Sequence, residues 1–410
     1  MKYRMMLLLA GMMALTGCDG RPKTENRRAG QLAGVVSKPD SKPAVHVYIE
    51  NSGSMDGYAG RDKTDFKTSV YTYLSDIKIA DVTDSLNLFY INGEIIPHSP
   101  DVSDFIEKLN PATFRLRGGD RGATNISRLI HTLLQETLEN KTAILVSDFI
   151  FSPGKGKNAE AYLINQQIGI KMNMAEALKT RDLAVIVYQL SSEFNGTYYN
   201  REDRPTLIDG RRPFYIWIMG DAKQVGELRK KIPVSSFKGS GVEHTFTMVR
   251  GNQTVDYAIR PGTGKFSLDR QSPKNKITHA GKDHRGKLSF AVNVNFSALL
   301  LDDDYLKNPD NYELSDKDYQ LHITDAPGGA HGYTHSLNFS SQQIKPSRLS
   351  VKLKTGVPQW VEQINDEEGL DIHAEGAMGK TYGISYLING IYEAFTLKQD
   401  FYTEIKISIN

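Results

Sequence analysis

The chain contains very little cysteine, and Cys18 is the single one among its 410 residues. No disulfide can form within such a chain, and a cysteine-based metal site is excluded. A surplus of charge of one sign is also missing, because 50 Lys and Arg residues stand against 48 Asp and Glu residues. This balance gives no support for nucleic-acid binding, which needs a large basic surface. A hydrophobic content of 39% is still enough to build cores, and the length predicts about two or three domains.

The first residues have the pattern of an export signal. Lys2 and Arg4 precede a short apolar run at residues 5–15, which has only about half of the roughly 20 residues that a transmembrane helix needs. We therefore predict a signal peptide at residues 1–17. The sequence Leu-Thr-Gly-Cys that ends at Cys18 resembles the bacterial lipobox, which implies that Cys18 is lipidated. The alternative is an ordinary secretory signal that happens to contain a cysteine.

Residues 18–43 are polar, rich in Gly, Lys and Pro, and lack apolar periodicity. We predict a flexible tether there, whose basic residues favour an anionic lipid surface, with a plain solvated linker as the alternative. Loss of Lys2 and Arg4 with the signal peptide reduces the 50 basic residues to 48, equal to the 48 acidic ones. The resulting expectation is a lipid-anchored protein of the bacterial cell envelope, on its periplasmic or surface side.

From residue 44 the pattern changes to alternating strands and helices. Buried-strand patterns are predicted at 44–50, 86–91, 141–150, 183–190 and 214–220, and helical spacing at 62–77, 125–139, 160–179 and 221–231. Nearly continuous apolar strands separated by helices are typical of a parallel sheet that is covered on both faces. We therefore predict that residues 44–232 form an α/β domain with a doubly wound, mostly parallel sheet of the Rossmann type.

The pattern of apolar and polar residues changes again near residue 233. Short alternating runs recur between clusters of Gly, Pro, Asn and Asp, which predicts a mostly antiparallel β domain over residues 233–410. Residues 386–396 are compatible with either a short helix or a strand.

Three predicted loops bring oxygen-bearing side chains to one edge of the first sheet. In a doubly wound sheet, ligands bind beyond the carboxyl ends of the strands. Glu50, Ser52 and Ser54 follow the first strand, Thr124 precedes the strongest helix, and Asp148 lies near the end of a central strand. Such hard oxygen ligands suit Mg²⁺, our first expectation, or Mn²⁺ or Ca²⁺. Taken singly, each segment is as compatible with a turn or a helix cap.

Together, these segments resemble the metal-ion-dependent adhesion site of the von Willebrand factor A (VWA) family. That site reads Asp-x-Ser-x-Ser, then a Thr after a Gly-rich loop, then an Asp after a central strand. Ser52, Ser54, Thr124 and Asp148 match it in order, whereas Glu50 stands where the family has Asp. The resemblance covers residues 44–232, a little under half of the chain. The longer Glu50 side chain puts the affinity for Mg²⁺ in question, because Mg²⁺ demands near-ideal octahedral positions.

The resemblance implies a function in binding rather than catalysis. The bound metal would engage an acidic side chain of a protein partner, which would complete the coordination sphere. We expect a membrane-anchored, non-enzymatic protein that mediates metal-dependent protein binding or adhesion. The alternatives are an assembly component of an envelope complex with a vestigial metal site and, with less support, an envelope hydrolase.

Overall fold

A computed structural model describes residues 42–98, 101–122, 126–150 and 158–410. The predicted signal peptide, the lipidation at Cys18 and nearly all of the predicted tether therefore lie outside the described residues, as does Thr124. Within the described ranges, no helix combines the length and the apolar character that a membrane span requires.

The first part of the described chain alternates between strands and helices. These elements are β1 (Ala44–Glu50), α1 (Asp56–Ala59), α2 (Asp65–Ile79), β2 (Leu86–Ile91), β3 (Ile95–His98), α3 (Val102–Glu107), α4 (Pro111–Leu116), α5 (Ile126–Leu138), β4 (Lys141–Ser147), α6 (Ala159–Thr180), β5 (Leu183–Tyr199), β6 (Pro205–Asp221), α7 (Ala222–Lys231) and β7 (His244–Val249).

The second part is dominated by short strands. Its elements are β8 (Tyr257–Ile259), β9 (Ser267–Leu268), β10 (Lys276–Thr278), β11 (Leu288–Val294), α8 (Asp303–Lys307), β12 (Tyr312–Leu314), β13 (Tyr319–Asp325), β14 (His335–Ser341), β15 (Ser347–Lys354), α9 (Gln359–Gln363), β16 (Asn365–Asp366), β17 (Thr381–Tyr382), α10 (Ile384–Thr396) and β18 (Phe401–Ile409). Short 3₁₀ turns lie at Val234–Ser236, Ser297–Leu299, Pro309–Asn311, Pro327–Gly332 and Ala377–Gly379.

The main sheet has seven strands in the order β3-β2-β1-β4-β6-β5-β7. Strand β1 lies between β2 and β4 in this sheet and runs parallel to both. The four remaining pairings are antiparallel. The prediction of a mixed helix and strand fold is thus confirmed in its coarse form, but the sheet is mixed and not mostly parallel.

The difference arises from one long hairpin. Strands β5 and β6 have 17 residues each and pair along their whole length, from Leu183 opposite Asp221 to Tyr199 opposite Pro205. The sequence pattern predicted strands only at residues 183–190 and 214–220, but residues 191–199 and 205–213 continue both strands. Their outer half buries alternate side chains, among them Phe194, Tyr198 and Ile208. This is the alternation of a strand with one covered face.

Beyond residue 233 the described chain forms three further sheets, one of which is a two-stranded parallel pair of β16 and β17. The two larger sheets have the orders β12-β15-β18-β10-β9 and β13-β14-β11-β8. Their pairings are antiparallel except that of β10 with β18. Residues 386–396, for which a helix and a strand were both open, lie in helix α10.

Elements from both predicted domains share one core. Strand β7 pairs with β5 at the edge of the main sheet. Helix α10 packs on α6, where Glu393 accepts hydrogen bonds from Gln167 at 2.6 Å and from Lys171 at 2.7 Å. Both hydrophobic clusters contain residues from either side of residue 233. The predicted boundary between 44–232 and 233–410 stays a prediction about independent folding.

Candidate metal centre

The candidate centre lies at the carboxyl ends of the adjacent parallel strands β1 and β4. Glu50 is the last residue of β1 and is 2% exposed, and Ser147 is the last residue of β4. The Ser147 hydroxyl donates a hydrogen bond to Glu50 Oε2. Ser147 Oγ in turn accepts a hydrogen bond from the Phe149 amide at 2.8 Å. A carboxylate from one strand is thereby fixed to the end of its neighbour.

The loop after β1 folds its two serines together. Their hydroxyl oxygens, Ser52 Oγ and Ser54 Oγ, are 3.0 Å apart, and both residues are buried. Arg121 fixes the loop by donating from Nε to Asn51 O at 2.7 Å and from a terminal nitrogen to Ser52 O at 3.0 Å. It also forms an ion pair of 2.6 Å with Asp56.

The tip of the long hairpin lies beside Gly53. A Cβ atom at this position would lie 3.4 Å from Cε2 of Tyr199, near the tip of β5. The Gly53 amide donates to the Arg121 carbonyl at 3.0 Å. The hairpin and the loop before Gly122 therefore border the two serines.

Asp148 follows β4 and is fully buried. Its Oδ1 accepts a hydrogen bond from the Ile150 amide at 3.0 Å, whereas Oδ2 has no hydrogen-bond partner among the described residues. Burial raises the pKa of the Asp148 carboxyl, and the Ile150 amide, the Ser54 hydroxyl and the Arg212 guanidinium oppose that shift. A buried carboxyl oxygen without a donor is a costly arrangement unless a cation or a proton compensates it.

The backbone at this strand end is strained. Phe149 has a φ of +51°, in the left-handed region that bulky residues avoid. Its ring packs against Trp217 at a centroid distance of 4.5 Å, which holds it in place. Strain of this kind clusters at functional sites.

The structure places four of the five residues that sequence reasoning proposed, namely Glu50, Ser52, Ser54 and Asp148, at or just beyond the carboxyl ends of β1 and β4. The fifth, Thr124, lies outside the described residues. The four supply two carboxylates and two hydroxyls, a donor set that suits a hard divalent cation. The unpartnered Asp148 Oδ2 adds a reason for a cation to bind here. Their exposed fractions are at most 7%, so the centre is enclosed.

Sequence reasoning missed three residues that support this centre: Ser147, Arg121 and Arg212. Arg212 is 1% exposed, stacks over the Tyr198 ring at 4.8 Å and donates to the carbonyls of Ala377 and Met378 at 3.3 Å. It connects the hairpin with a segment more than 160 residues away in sequence. Ser147 was detectable as a hydroxyl beside Asp148 at a strand end. No comparable signal points to the arginines, because their hydrogen-bond partners, including Asp56 for Arg121, lie in segments that are distant in sequence.

A second acidic group lies in the C-terminal half, where ligand atoms of Asp303, Asp325 and His335 are within 4.8 Å of one another. Lys307 forms ion pairs with both carboxylates, at 2.5 Å and 2.8 Å. This group therefore already contains a cationic side chain.

Comparisons with protein-family models, with curated proteins and with solved structures found no match for this chain. The family resemblance thus rests on the residues at the strand ends alone.

Proposed function

We propose that this chain is an envelope lipoprotein, anchored through Cys18, whose VWA-like domain binds a divalent cation and through it an acidic side chain of a protein partner. Glu50, Ser52, Ser54, Thr124 and Asp148 would hold the cation, with Mg²⁺ as the first expectation and Mn²⁺ or Ca²⁺ as alternatives. We propose a binding role without catalysis.

The observation that carries the proposal is Asp148 Oδ2, which has no hydrogen-bond partner in the part of the chain that the structure describes. It is fully buried and lies beside the Ser54 hydroxyl, at the end of a strand that is parallel to the one bearing Glu50. A bound cation would offset the cost of this buried charge. It would also satisfy the two serine oxygens, which otherwise contact each other at 3.0 Å.

The test is calorimetric titration of the full chain with Mg²⁺, Mn²⁺ and Ca²⁺ after treatment with a chelator. We expect saturable binding that Asp148→Ala abolishes. Absence of binding heat and of any thermal shift with all three ions would refute the proposal.

The partner half of the proposal has a separate test. If a partner carboxylate completes the coordination sphere, a soluble dicarboxylate such as glutarate should tighten cation binding, because linked ligands raise each other's affinity. The same titrations are repeated in excess glutarate, with glucose at equal concentration as the control. Cation binding that is indifferent to glutarate would count against a partner carboxylate.

A second candidate role is an assembly factor in which the cation is purely structural. The burial of all four described side chains favours it, because structural metal sites are closed whereas sites that take a ligand keep an open position. Mn²⁺ distinguishes the two roles through the relaxation of water protons. A closed site gives little enhancement, whereas a site with exchangeable water gives a strong one.

A further inference from the structure

Ser147 is next to both acidic residues of the candidate centre, to Asp148 in sequence and to Glu50 through a hydrogen bond. It is 1% exposed, immediately precedes Asp148, and donates its hydroxyl proton to Glu50 Oε2. Since a hydroxyl has one proton and its oxygen here also accepts the Phe149 amide at 2.8 Å, the orientation of that proton is determined. The hydroxyl is thus a directed donor toward Glu50.

This contact bears on the one departure from the metal-site pattern, which is Glu50 in the place of Asp. A glutamate has one more rotatable bond than an aspartate, so its carboxylate needs more restraint to point in one direction. Glu50 is 2% exposed, and one of its oxygens is tied to the neighbouring strand by Ser147. The hydrogen bond crosses from β4 to β1, the two strands that carry the acidic residues of the centre.

We propose that Ser147 is a positioning residue of the cation site, which orients the Glu50 carboxylate so that the longer side chain serves where the family pattern has aspartate. This inference rests on the proposed function. Ser147 itself does not touch the cation in this scheme. It acts through Glu50 and stabilises the strand end through the Phe149 amide.

A merely structural serine would also cost stability when removed, so the test needs a readout that only positioning changes. That readout is cation affinity, measured by calorimetry on the full chain for Mg²⁺ and for Ca²⁺. Thermal denaturation in chelator records the structural cost of each variant separately.

The matched control is Ser192, which is fully buried and makes the same two kinds of contact. It accepts the Phe66 amide at 2.9 Å, and its hydroxyl lies within donating distance of the Glu193 carbonyl at 3.1 Å and of Glu193 Oε2 at 3.4 Å. Ser192→Ala should therefore lower the thermal stability in chelator without changing cation affinity. Removal of a group that orients a metal ligand typically weakens metal binding about 10-fold to 100-fold, and we expect Ser147→Ala to weaken it about 10-fold or more.

Two further variants make the result specific. Ser147→Thr keeps the hydroxyl and should bind the cation more tightly than Ser147→Ala. In a Glu50→Asp background the shorter side chain withdraws from Ser147, so Ser147→Ala should then cost much less affinity than it does in the unmodified chain. Such non-additivity is the sign that the two residues act together.

The outcomes separate the two proposals. If the unmodified chain binds none of the cations, both the proposed function and this inference fall. If it binds but Ser147→Ala binds equally well, or if the penalty is the same beside Glu50 and beside its aspartate replacement, only the positioning role is overturned.

Discussion

Replacing Asp148 with asparagine removes a buried charge and leaves the shape of the centre almost unchanged. In the absence of a cation, Oδ1 of the wild-type carboxyl accepts a hydrogen bond at 3.0 Å from the Ile150 amide, and Oδ2 has no hydrogen-bond partner among the described residues. A buried polar group without a partner costs about 1–3 kcal/mol, and more when it is charged. The Ser54 hydroxyl and the Arg212 guanidinium reduce that cost.

We therefore expect Asp148→Asn to raise the free energy of unfolding in chelator by about 1–2 kcal/mol, in the lower part of that range. In the presence of the cation, the wild type should instead be more stable than Asp148→Asn. A ligand at about 100 times its Kd stabilises the native state by about 2.7 kcal/mol, and only the wild type should receive this stabilisation.

Thermal denaturation of both proteins, with and without chelator, tests the reasoning. The informative quantity is the sign of the difference in melting temperature under each condition. A variant that is clearly less stable than the wild type in chelator would contradict this expectation, because the Asp148 carboxyl would then be satisfied without a cation. Equal stabilisation of both proteins by the cation would contradict it as well.

Two further predictions concern packing and pH. Gly57→Ala should destabilise the chain by about 1–3 kcal/mol, because the new Cβ would lie 2.3 Å from Cζ of Phe194. Gly379→Ala is the control and should be nearly neutral in the same thermal or chemical denaturation, because the added carbon meets nothing within 4 Å. Burial lowers the pKa of His335, and its Asp303 partner opposes that shift. As the pH falls, the unfolded state therefore binds a proton at this histidine at a higher pH than the folded state does. Stability should therefore be retained above pH of about 6.5 and fall on acidification through the folded pKa, by at most about 1.4 kcal/mol per pH unit for this group. His335→Gln should flatten that part of the profile of unfolding free energy against pH, and an unchanged profile would contradict the assignment.

The strand ends of the centre were accessible to sequence reasoning because local patterns determine them. The apolar runs that end at Glu50 and near Asp148 predict strands, and the structure has β1 and β4 there as parallel neighbours. Glu50 and Asp148 therefore fall at the same edge of the sheet, and Ser52 and Ser54 lie in the loop that follows β1. Helix α6 was likewise predicted to within about one residue at each end, since its apolar spacing is local.

The order and direction of the later strands were not accessible in this way. The first half of β5 and the second half of β6 are apolar. Such runs are equally compatible with parallel or antiparallel neighbours. Their direction is determined by the short connection between Tyr199 and Pro205, which lies between the two strands that the sequence pattern predicts. The supporting contacts of Ser147 and Arg121 depend on which strand and which loop are adjacent in space. A single sequence contains no direct record of that adjacency.

The enclosure of the centre determines what partner binding would require. Tyr199 lies against Gly53, and the tip of its hairpin is held by the bond from the Arg201 amide to the Gly369 carbonyl at 2.9 Å. The Asn200 side chain adds a bond of 3.0 Å to the Leu370 carbonyl. Because these bonds fix the backbone of the tip, we expect that a partner approaching the loop past Gly53 would require rotation of the Tyr199 side chain and not displacement of the hairpin. A structural cation requires neither motion, so the two candidate roles differ in whether Tyr199 has to move.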